Sequence, residues 1–215
     1  MGSVWTIVVA AGSARRFGQH KQYQPLGDRR VLDWSLQAAR SVSDGVVLVV
    51  PSEYAESPEP GADRVVAGED TRSGSVRAGL DAVPPEATVV LVHDGARPLA
   101  GGDLFEAVVA AVEQGADAVV PAIPVTDTVR SRTDGVVDRA DLVVVQTPQA
   151  FDAAVLRAAH AGSDEGTDDA SLVEAIGGTV QLVSGTPTNL KITYPTDLLL
   201  AEALLPGITY GRAAP

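Results

Sequence analysis

Short apolar runs alternate with amphipathic segments along most of this chain. The apolar runs are rich in β-branched residues and typical of strands buried in a parallel sheet; they cover 4–11, 46–50, 88–92 and 116–123, with a shorter strand at 64–67. Helices are predicted between them over 31–41, from the turn at 68–75 to about 82, and from Asp103, a suitable N-cap, to 114. The alternation predicts an α/β fold with a Rossmann-like, doubly wound, mostly parallel sheet and right-handed crossovers. Ligands of such folds bind beyond the carboxyl ends of the strands.

The alternation stops at Pro124. Residues 125–130 and 136–139 flank Asp134-Gly135, a dipeptide that favours a hairpin turn, and a further strand follows at 142–145. No helix is predicted to cover this hairpin, and pairing with a second subunit would bury its edge. We therefore predict a β-hairpin arm at about 124–145 that joins a homodimer, with a small flap on a monomer as the alternative.

The remaining segments return to the α/β pattern. Helices are predicted at about 152–160 and 169–176, the second capped by Asp168 or Thr167, followed by a strand over 179–183, the segment 189–193 and a last helix over 196–205. Without an internal repeat, the chain is expected to form a single domain over 1–215, with the arm as a subdomain.

Composition excludes several classes of function. The 215 residues carry a formal net charge of −12, which argues against nucleic acid as a partner. The absence of cysteine excludes thiolate metal sites and a cysteine nucleophile. No apolar run approaches the ~20 residues of a membrane span, and Met1-Gly2-Ser3 leaves no room for a signal peptide before the first strand. We expect a cytoplasmic protein that binds neither nucleic acid nor membrane.

The stretch 8–23, VVAAGSARRFGQHKQY, carries the first candidate chemistry. Small residues follow the first strand, where Gly12 can adopt a positive φ, and Arg15, Arg16 and Lys21 come directly after them. Backbone amides and cations together suit a polyphosphate, whereas a tight turn with a solvated basic patch is the alternative. The spacing matches neither the P-loop nor the G-x-G-x-x-G fingerprint.

Asp94 is the best metal candidate. It ends an apolar strand, and the small Gly95 and Ala96 leave space beside it. A carboxylate there suits Mg²⁺, or another divalent cation, held together with substrate phosphates; the alternative is a turn aspartate. His93 is expected to pack or hydrogen-bond rather than to act as a base. Cations stand near several strand ends, namely Arg15, Arg16, Lys21, Arg72, Arg97, Arg139 and Lys191. With Asp94 they favour nucleotidyl transfer, which needs positioning and charge stabilisation more than covalent catalysis.

Seven segments carry a resemblance to a known family: AAGSARRF…KQY, GEDTRSGSV, VHDGARP, PVTDTV, DR…TPQAF, TDDAS and NLKIT. In this order they resemble the 2-C-methyl-D-erythritol 4-phosphate cytidylyltransferases of the non-mevalonate isoprenoid pathway, over about residues 8–198. The resemblance implies a Mg²⁺-dependent reaction of CTP with 2-C-methyl-D-erythritol 4-phosphate that gives 4-diphosphocytidyl-2-C-methyl-D-erythritol and pyrophosphate.

The same resemblance implies roles for individual residues. The catalytic cations would be Arg16, Lys21 and Lys191. The nucleotide would be bound by Ala10, Ala11, Gly12, Gly68, Asp70, Ser75 and Ala96. Methylerythritol phosphate would be held by Arg97, Thr128, Arg139, Thr147 and Thr167, and Mg²⁺ by Asp94. In this family the arm of one subunit reaches the site of the other, so Thr128 and Arg97 would serve a different active site from Arg139 and Lys191.

The sequence departs from the family pattern at three positions, where Ala14, Glu69 and His20 stand in place of a frequent Gly, Gly and Pro. None of these changes removes a charged catalytic group. Two alternatives remain open. A cytidylyltransferase for another polyol phosphate, such as ribitol 5-phosphate, would share most motifs. A Rossmann-type dehydrogenase or a non-catalytic nucleotide-binding protein is disfavoured by the missing dinucleotide fingerprint and by the Arg, Lys and Asp constellation, respectively.

Overall fold

The computed structural model describes residues 2–12, 17–18, 20–162 and 164–210. The strands are β1 (Ser3–Val9), β2 (Pro25–Leu26), β3 (Arg29–Arg30), β4 (Gly45–Val50), β5 (Arg64–Ala67), β6 (Ala87–Asp94), β7 (Ala118–Pro124), β8 (Val129–Ser131), β9 (Gly135–Val137), β10 (Val143–Val145), β11 (Gln149–Asp152) and β12 (Val180–Ser184). The α-helices are α1 (Val31–Arg40), α2 (Arg72–Ala82), α3 (Gly102–Glu113), α4 (Ala153–Ala159), α5 (Asp169–Ala175) and α6 (Pro195–Leu204).

The main sheet is mostly parallel. Its strands run in the order β5-β4-β1-β6-β11-β7, with β12 parallel to β7 and β10 antiparallel to it. The pairs β1/β4, β1/β6 and β4/β5 are parallel, whereas β11 runs antiparallel to both of its neighbours. The predicted doubly wound, mostly parallel α/β fold is confirmed.

Helices cover both faces of this sheet. Along β4 every residue is buried, and alternate side chains enter opposite clusters: Leu48 packs with residues of α1 and α3, and Val49 packs with residues of α2, α4 and α5. A period of two in a fully apolar strand therefore produces two hydrophobic cores at once. The predicted apolar face of α1 is confirmed, since Leu32 and Leu36 are fully buried.

Two local expectations are wrong. Asp103 is not the N-cap of α3, because Gly101 occupies that position and Asp103 lies in the first turn, where a carboxylate still interacts favourably with the helix dipole. The sequence reading also missed β11, a four-residue buried strand between β6 and β7. Its run is too short to show a strand period, and it directly follows Pro148. The segment 189–193 contains neither a helix nor a strand.

A small antiparallel pair stands apart from the main sheet. Strands β8 and β9 pair across a turn at Asp134-Gly135, where Gly135 has a φ of +87°. Nearby β10 pairs with β7, and all three of its valines are exposed. Assembly of a homodimer through this region stays a prediction.

The carboxyl ends of β1, β5 and β6 lie at one edge of the sheet. The loops that follow them begin at Ala10, Gly68 and Gly95, as expected for parallel neighbours. A separate cluster around Leu26, Leu99 and Ile192 packs the segment after Lys21 against the segment before α6. None of the described helices combines the length and the apolar character needed to cross a membrane.

Candidate active site

A cavity of about 610 Å³ opens at this edge of the sheet. The loops after β1, β5 and β6 form three of its walls, and the segment before α6 forms the fourth. The lining residues are Val9, Ala10, Ala11, Gly12, Phe17, Lys21, Gln22, Glu69, Asp70, Thr71, Arg72, Ser75, Asp94, Gly95, Ala96, Lys191 and Thr193. The three loops that the sequence singled out therefore meet around one space, as predicted.

Asp94 lies on the floor of the cavity among three cations. The Lys191 Nζ lies 2.7 Å from its Oδ2, the Arg97 Nε 3.7 Å from its Oδ2, and the Arg72 Nε 4.0 Å from its Oδ1. These residues come from β6, the turn after β6, the start of α2 and the segment before α6, so only the tertiary fold brings them together. The expectation that Arg97 and Lys191 serve different active sites is wrong, because both contact Asp94 of their own chain.

The cations keep Asp94 ionised. Burial alone would raise the pKa of this carboxyl group, but the charges of Lys191, Arg72 and Arg97 outweigh burial and hold the pKa well below its usual range. The cavity lining carries as many carboxylates as cations, but Glu69 and Asp70 lie at its rim, whereas three cations gather around Asp94 and only Asp169 adds a second carboxylate there. Positive charge is therefore concentrated around Asp94 in a protein whose formal net charge is −12. The cavity is thus suited to an anionic ligand.

Both lysines of the chain line this cavity, although the sequence contains 16 Lys and Arg residues in total. Lys21 begins a 3₁₀ turn at Lys21–Tyr23, and its Nζ donates to the carbonyl oxygen of Ile192. The next side chain, the buried Gln22, donates from Nε2 to the carbonyl oxygen of Ala10 at 2.6 Å. Gln22 therefore ties the lysine turn to the loop after β1, a contact that the sequence reading missed.

The loop after β1 presents its backbone to the cavity only in part. The N–H of Ala10 already donates to Val49, and its carbonyl already accepts from Gln22. Gly12 does not use the positive φ that glycine permits, and a Cβ at this position would meet no atom of the described residues within 4 Å. A ligand can therefore approach the backbone at Ala11 and Gly12, whereas the backbone N–H of Ala10 is already used.

Gly68 lies behind the cavity wall rather than on it. A Cβ there would come within 2.3 Å of the Ala11 Cβ, and its N–H donates to Val50. Its place in the sequence motif is explained by close packing of two loops, so the structure does not bring this predicted nucleotide-binding residue to the cavity surface.

Ser75 organises the turn that carries Asp70. Its hydroxyl group accepts from the Glu69 N–H at 3.1 Å and lies 2.9 Å from the carbonyl oxygen of Thr71. Thr71 in turn caps α2, because its Oγ1 accepts from the Gly74 N–H. The result is a rigid turn that exposes Glu69 and Asp70 at the cavity rim.

Thr147 was predicted to bind substrate, but its hydroxyl group is engaged inside the protein. It accepts from the backbone N–H of Asp94 at 3.0 Å and lies 3.1 Å from the Nδ1 of His93. Burial lowers the pKa of His93 to about 4, so the ring is neutral at pH 7 and shares one hydrogen bond with the Thr147 hydroxyl group. The His93 ring also packs against that of Phe105, with 5.0 Å between the ring centroids, which confirms the expectation that His93 packs or hydrogen-bonds at the strand end.

Arg97 and Ala96 link the strand end to the segment before α6. The Arg97 Nη1 donates to the carbonyl oxygen of Asn189 at 2.7 Å, and the carbonyl oxygen of Ala96 accepts from the Ile192 N–H at 2.9 Å. These bonds fix Lys191, which lies between Asn189 and Ile192. Ala96 lines the cavity, whereas Arg97 reaches it only through its ion pair with Asp94.

Three predicted acceptor-binding residues do not join this cavity within one chain. Thr128, Arg139 and Thr167 are exposed and absent from its lining, and the Arg139 Nη1 donates to the carbonyl oxygen of Thr126. Arg16, the remaining predicted catalytic residue, lies outside the described residues, as do Ala14 and Arg15.

Asp94 is also the only predicted metal ligand in the cavity. The described part of the chain contains no group of three or more His, Cys, Asp or Glu residues that could hold a metal ion. A single ionised carboxylate fits the binding mode in which Mg²⁺ takes one protein ligand and completes its shell with water and substrate phosphates.

Comparison with known proteins shows the family of this chain. Residues 4–206 match the sequence model of the family described as IspD, 2-C-methyl-D-erythritol 4-phosphate cytidylyltransferase. The chain belongs to this family.

Relatives and solved structures of the family cover nearly the whole chain. The 2-C-methyl-D-erythritol 4-phosphate cytidylyltransferase of Nocardia farcinica is 44% identical over 218 residues, covering 95% of this chain and 94% of the relative. The crystal structure of the Thermus thermophilus enzyme of the same name has a TM-score of 0.81 at 38% identity, covering 93% of this chain and 98% of that one. The crystal structure of a 4-diphosphocytidyl-2C-methyl-D-erythritol synthase from Anaerococcus prevotii has a TM-score of 0.80 at 31% identity, covering 95% of this chain and 99% of that one. The resemblance stated from the seven motifs is confirmed.

Proposed function

We propose that this chain is a cytidylyltransferase that converts CTP and 2-C-methyl-D-erythritol 4-phosphate to 4-diphosphocytidyl-2-C-methyl-D-erythritol and pyrophosphate. Membership of the family supports this reaction. The observation that carries the proposal is the cluster of Lys191, Arg97 and Arg72 around Asp94, in a cavity bounded by the loop after β1.

The chemistry requires the site to hold two anions against their mutual repulsion. A phosphate oxygen of the acceptor attacks the α-phosphorus of CTP, a new P–O bond forms, and the bond to the β-phosphate breaks as pyrophosphate leaves. The attacking phosphate is already anionic, so no general base is needed, which agrees with a buried, neutral His93. The Lys21 Nζ donates to the carbonyl oxygen of Ile192, the residue next to Lys191, and both lysines line the cavity, where their charges can stabilise negative charge on the transferred group.

Asp94 is proposed to hold the Mg²⁺ ion, with other divalent cations possible in its place. When bound, the ion would neutralise charge on the triphosphate and orient it. Because the Lys191 Nζ lies 2.7 Å from the same carboxylate, Lys191 and the ion would share one anionic partner.

The proposal also includes a homodimer. Val143, Val144 and Val145 form an exposed apolar edge strand, and Val136 on the neighbouring hairpin is 61% exposed. An unpaired apolar edge of this kind is stabilised by pairing with a second chain. Such a dimer would explain why Thr128 and Arg139 stay outside the cavity of their own chain. A cytoplasmic location completes the proposal.

The test is pyrophosphate release by the purified protein with Mg²⁺. CTP, UTP and ATP are each supplied with 2-C-methyl-D-erythritol 4-phosphate and, separately, with ribitol 5-phosphate. Release with CTP and methylerythritol phosphate alone supports the proposal. Preference for ribitol 5-phosphate would assign the chain to another polyol phosphate, and no release with any pair would refute cytidylyl transfer.

A further inference from the structure

A buried acid lies next to the cavity and pairs with one of the cations that line it. Asp169, the first residue of α5, is 0% exposed. Its Oδ2 lies 2.7 Å from the Arg72 Nη2, and its Oδ1 lies 3.1 Å from the Nε2 of His160. Removing a carboxylate from water costs several kcal/mol unless it is paired and hydrogen-bonded. Asp169 is therefore stabilised by its ion pair with Arg72, which lies outside hydrogen-bond geometry, and by its hydrogen bond with His160.

Arg72 occupies a position that is unfavourable for a cation on local grounds. It is the first residue of α2, where the positive end of the helix dipole repels positive charge. Burial lowers the pKa of its guanidinium group, but the charges of Asp169 and Asp94 outweigh burial and raise that pKa above its usual value. The two carboxylates thus overcome both the helix dipole and burial.

The guanidinium group of Arg72 is only partly satisfied. One nitrogen, Nη2, meets Asp169, and Nε lies 4.0 Å from Asp94. The third nitrogen, Nη1, is buried and has no hydrogen-bond partner among the described residues, although Arg72 lines the cavity. Buried N–H donors without partners are rare in native proteins, and Nη1 itself is closed to solvent. A ligand oxygen in the cavity therefore meets the exposed part of Arg72, whose side chain is 26% exposed.

His160 fixes the orientation of Asp169. It follows the last residue of α4, and its side chain is 2% exposed. Donation from its Nε2 to Oδ1 turns the other carboxylate oxygen toward Arg72. The contacts therefore run from His160 through Asp169 to Arg72 and end in the cavity.

We propose that Asp169, oriented by His160, is a positioning residue that holds Arg72 in the cavity as a phosphate-binding cation. This inference rests on the proposed function, in which the cavity receives two phosphate-bearing substrates. The ligand oxygen belongs either to the triphosphate of CTP or to the phosphate of the acceptor.

A double-mutant cycle in kcat/KM tests the coupling. We expect Arg72→Ala to lower kcat/KM by about 100-fold, the usual loss for a charged hydrogen bond in an active site, and Asp169→Asn by about 10-fold. The kcat/KM of the double variant should lie within about 3-fold of that of Arg72→Ala, because Asp169 acts through Arg72. Losses that multiply would show that Asp169 acts independently, and Arg72→Ala within about 3-fold of the wild type would remove Arg72 from the site.

Chemical rescue separates positioning from a merely structural role. Added guanidinium ion should restore part of the activity of Arg72→Ala but not of the double variant, because Asp169 would hold the free ion. Equal rescue in both variants would overturn the positioning role. Arg40→Ala is the matched control, since Arg40 is 31% exposed and pairs with Asp63 at 2.8 Å, compared with 26% and 2.7 Å for Arg72. Its kcat/KM should stay within about 2-fold of the wild type.

Further measurements identify the oxygen and protect the test from misfolding. A rise in KM for CTP alone assigns the contact to the triphosphate, a rise for the acceptor alone assigns it to that phosphate, and no rise in either refutes phosphate binding. If Asp169→Asn does not fold, His160→Leu replaces it in the cycle and should lower kcat/KM by about 3-fold, but only when Arg72 is present. Calorimetric measurement of CTP binding to the wild type and to Arg72→Ala tests whether Arg72 binds phosphate, even if the protein shows no turnover. Failure of this inference is therefore distinguishable from failure of the proposed function.

Discussion

Removal of Lys191 tests how much of the reaction depends on the charge around Asp94. In Lys191→Ala, Asp94 keeps Arg97 at 3.7 Å and Arg72 at 4.0 Å, so the buried carboxylate is not left unpaired. The fold should survive. Because Lys191 is 42% exposed, its ion pair contributes no more than about 1 kcal/mol to stability. For a chain of this size, that loss corresponds to a fall in Tm of at most about 4 °C.

The expected catalytic loss is larger than the loss of stability. A unit charge 4 Å from a phosphoryl oxygen is worth about 4 kcal/mol at an effective dielectric constant near 20. Exposure of the lysine reduces this to about 2–3 kcal/mol, which corresponds to a 30- to 150-fold fall in kcat/KM. Lys191→Arg should recover only part of it, because the planar guanidinium group needs more room than an ammonium group.

The assay is continuous pyrophosphate release with CTP, Mg²⁺ and methylerythritol phosphate, with thermal unfolding measured in parallel. Arg40→Ala is the control for removal of a half-exposed cation away from the cavity. A Lys191→Ala enzyme within about 3-fold of the wild type would refute the electrostatic reasoning. A collapse in Tm with a proportional loss of active protein would show that Lys191 is structural.

Four further outcomes follow from the same structure. Lys21→Ala is expected to lower kcat by about 100-fold or more with an unchanged far-ultraviolet circular dichroism spectrum, and undiminished turnover would end its catalytic role. Since the chain has two lysines and both line the cavity, reductive methylation with ¹³C-formaldehyde should give two lysine signals beside that of the N-terminus; both should shift on addition of CTP and Mg²⁺, and two unmoved signals would contradict the site. Burial lowers the pKa of His93 to about 4 from an unfolded value near 6.5, so the unfolded state binds the proton first as pH falls. Urea unfolding should therefore show up to about 3 kcal/mol of stability lost between pH 6.5 and 4, with a smaller loss in His93→Gln; equal losses would disprove the assignment. Val144→Asp should convert a dimer into monomers in light scattering, whereas a monomeric wild type would refute the proposed edge-strand interface.

The sequence allowed the fold to be predicted well where one physical signal dominated. Continuous apolar runs such as that of β4 marked the parallel strands. The loops that follow these strands could therefore be assigned to one edge of the sheet from the sequence alone, and the cavity lies at that edge. The signal failed for β11, whose four residues enter the sheet only because β6 and β7 both need a partner. It also placed a cap at Asp103, because residue preference alone does not distinguish an N-cap from the first helical turn.

The candidate site was predictable in its charges but not in its supporting contacts. Lys191, Arg97 and Asp94 were identified from the sequence because cations and a carboxylate near strand ends indicate a site for charged ligands. Gly68 and Thr147 stand in other motifs of the same family, yet the first is a packing glycine and the second binds the Asp94 backbone. Asp169 was missed as a positioning residue, because its partners His160 and Arg72 meet it only in the folded chain.

Phosphorus NMR of the wild-type reaction tests the central claim most directly. CTP, Mg²⁺ and methylerythritol phosphate are mixed with the purified chain, and the fate of the acceptor phosphate is followed. The account predicts that the acceptor signal is replaced by a pair of mutually coupled diphosphate signals, with one equivalent of free pyrophosphate. Persistence of the acceptor signal while CTP is consumed, or no change in either substrate, would contradict it.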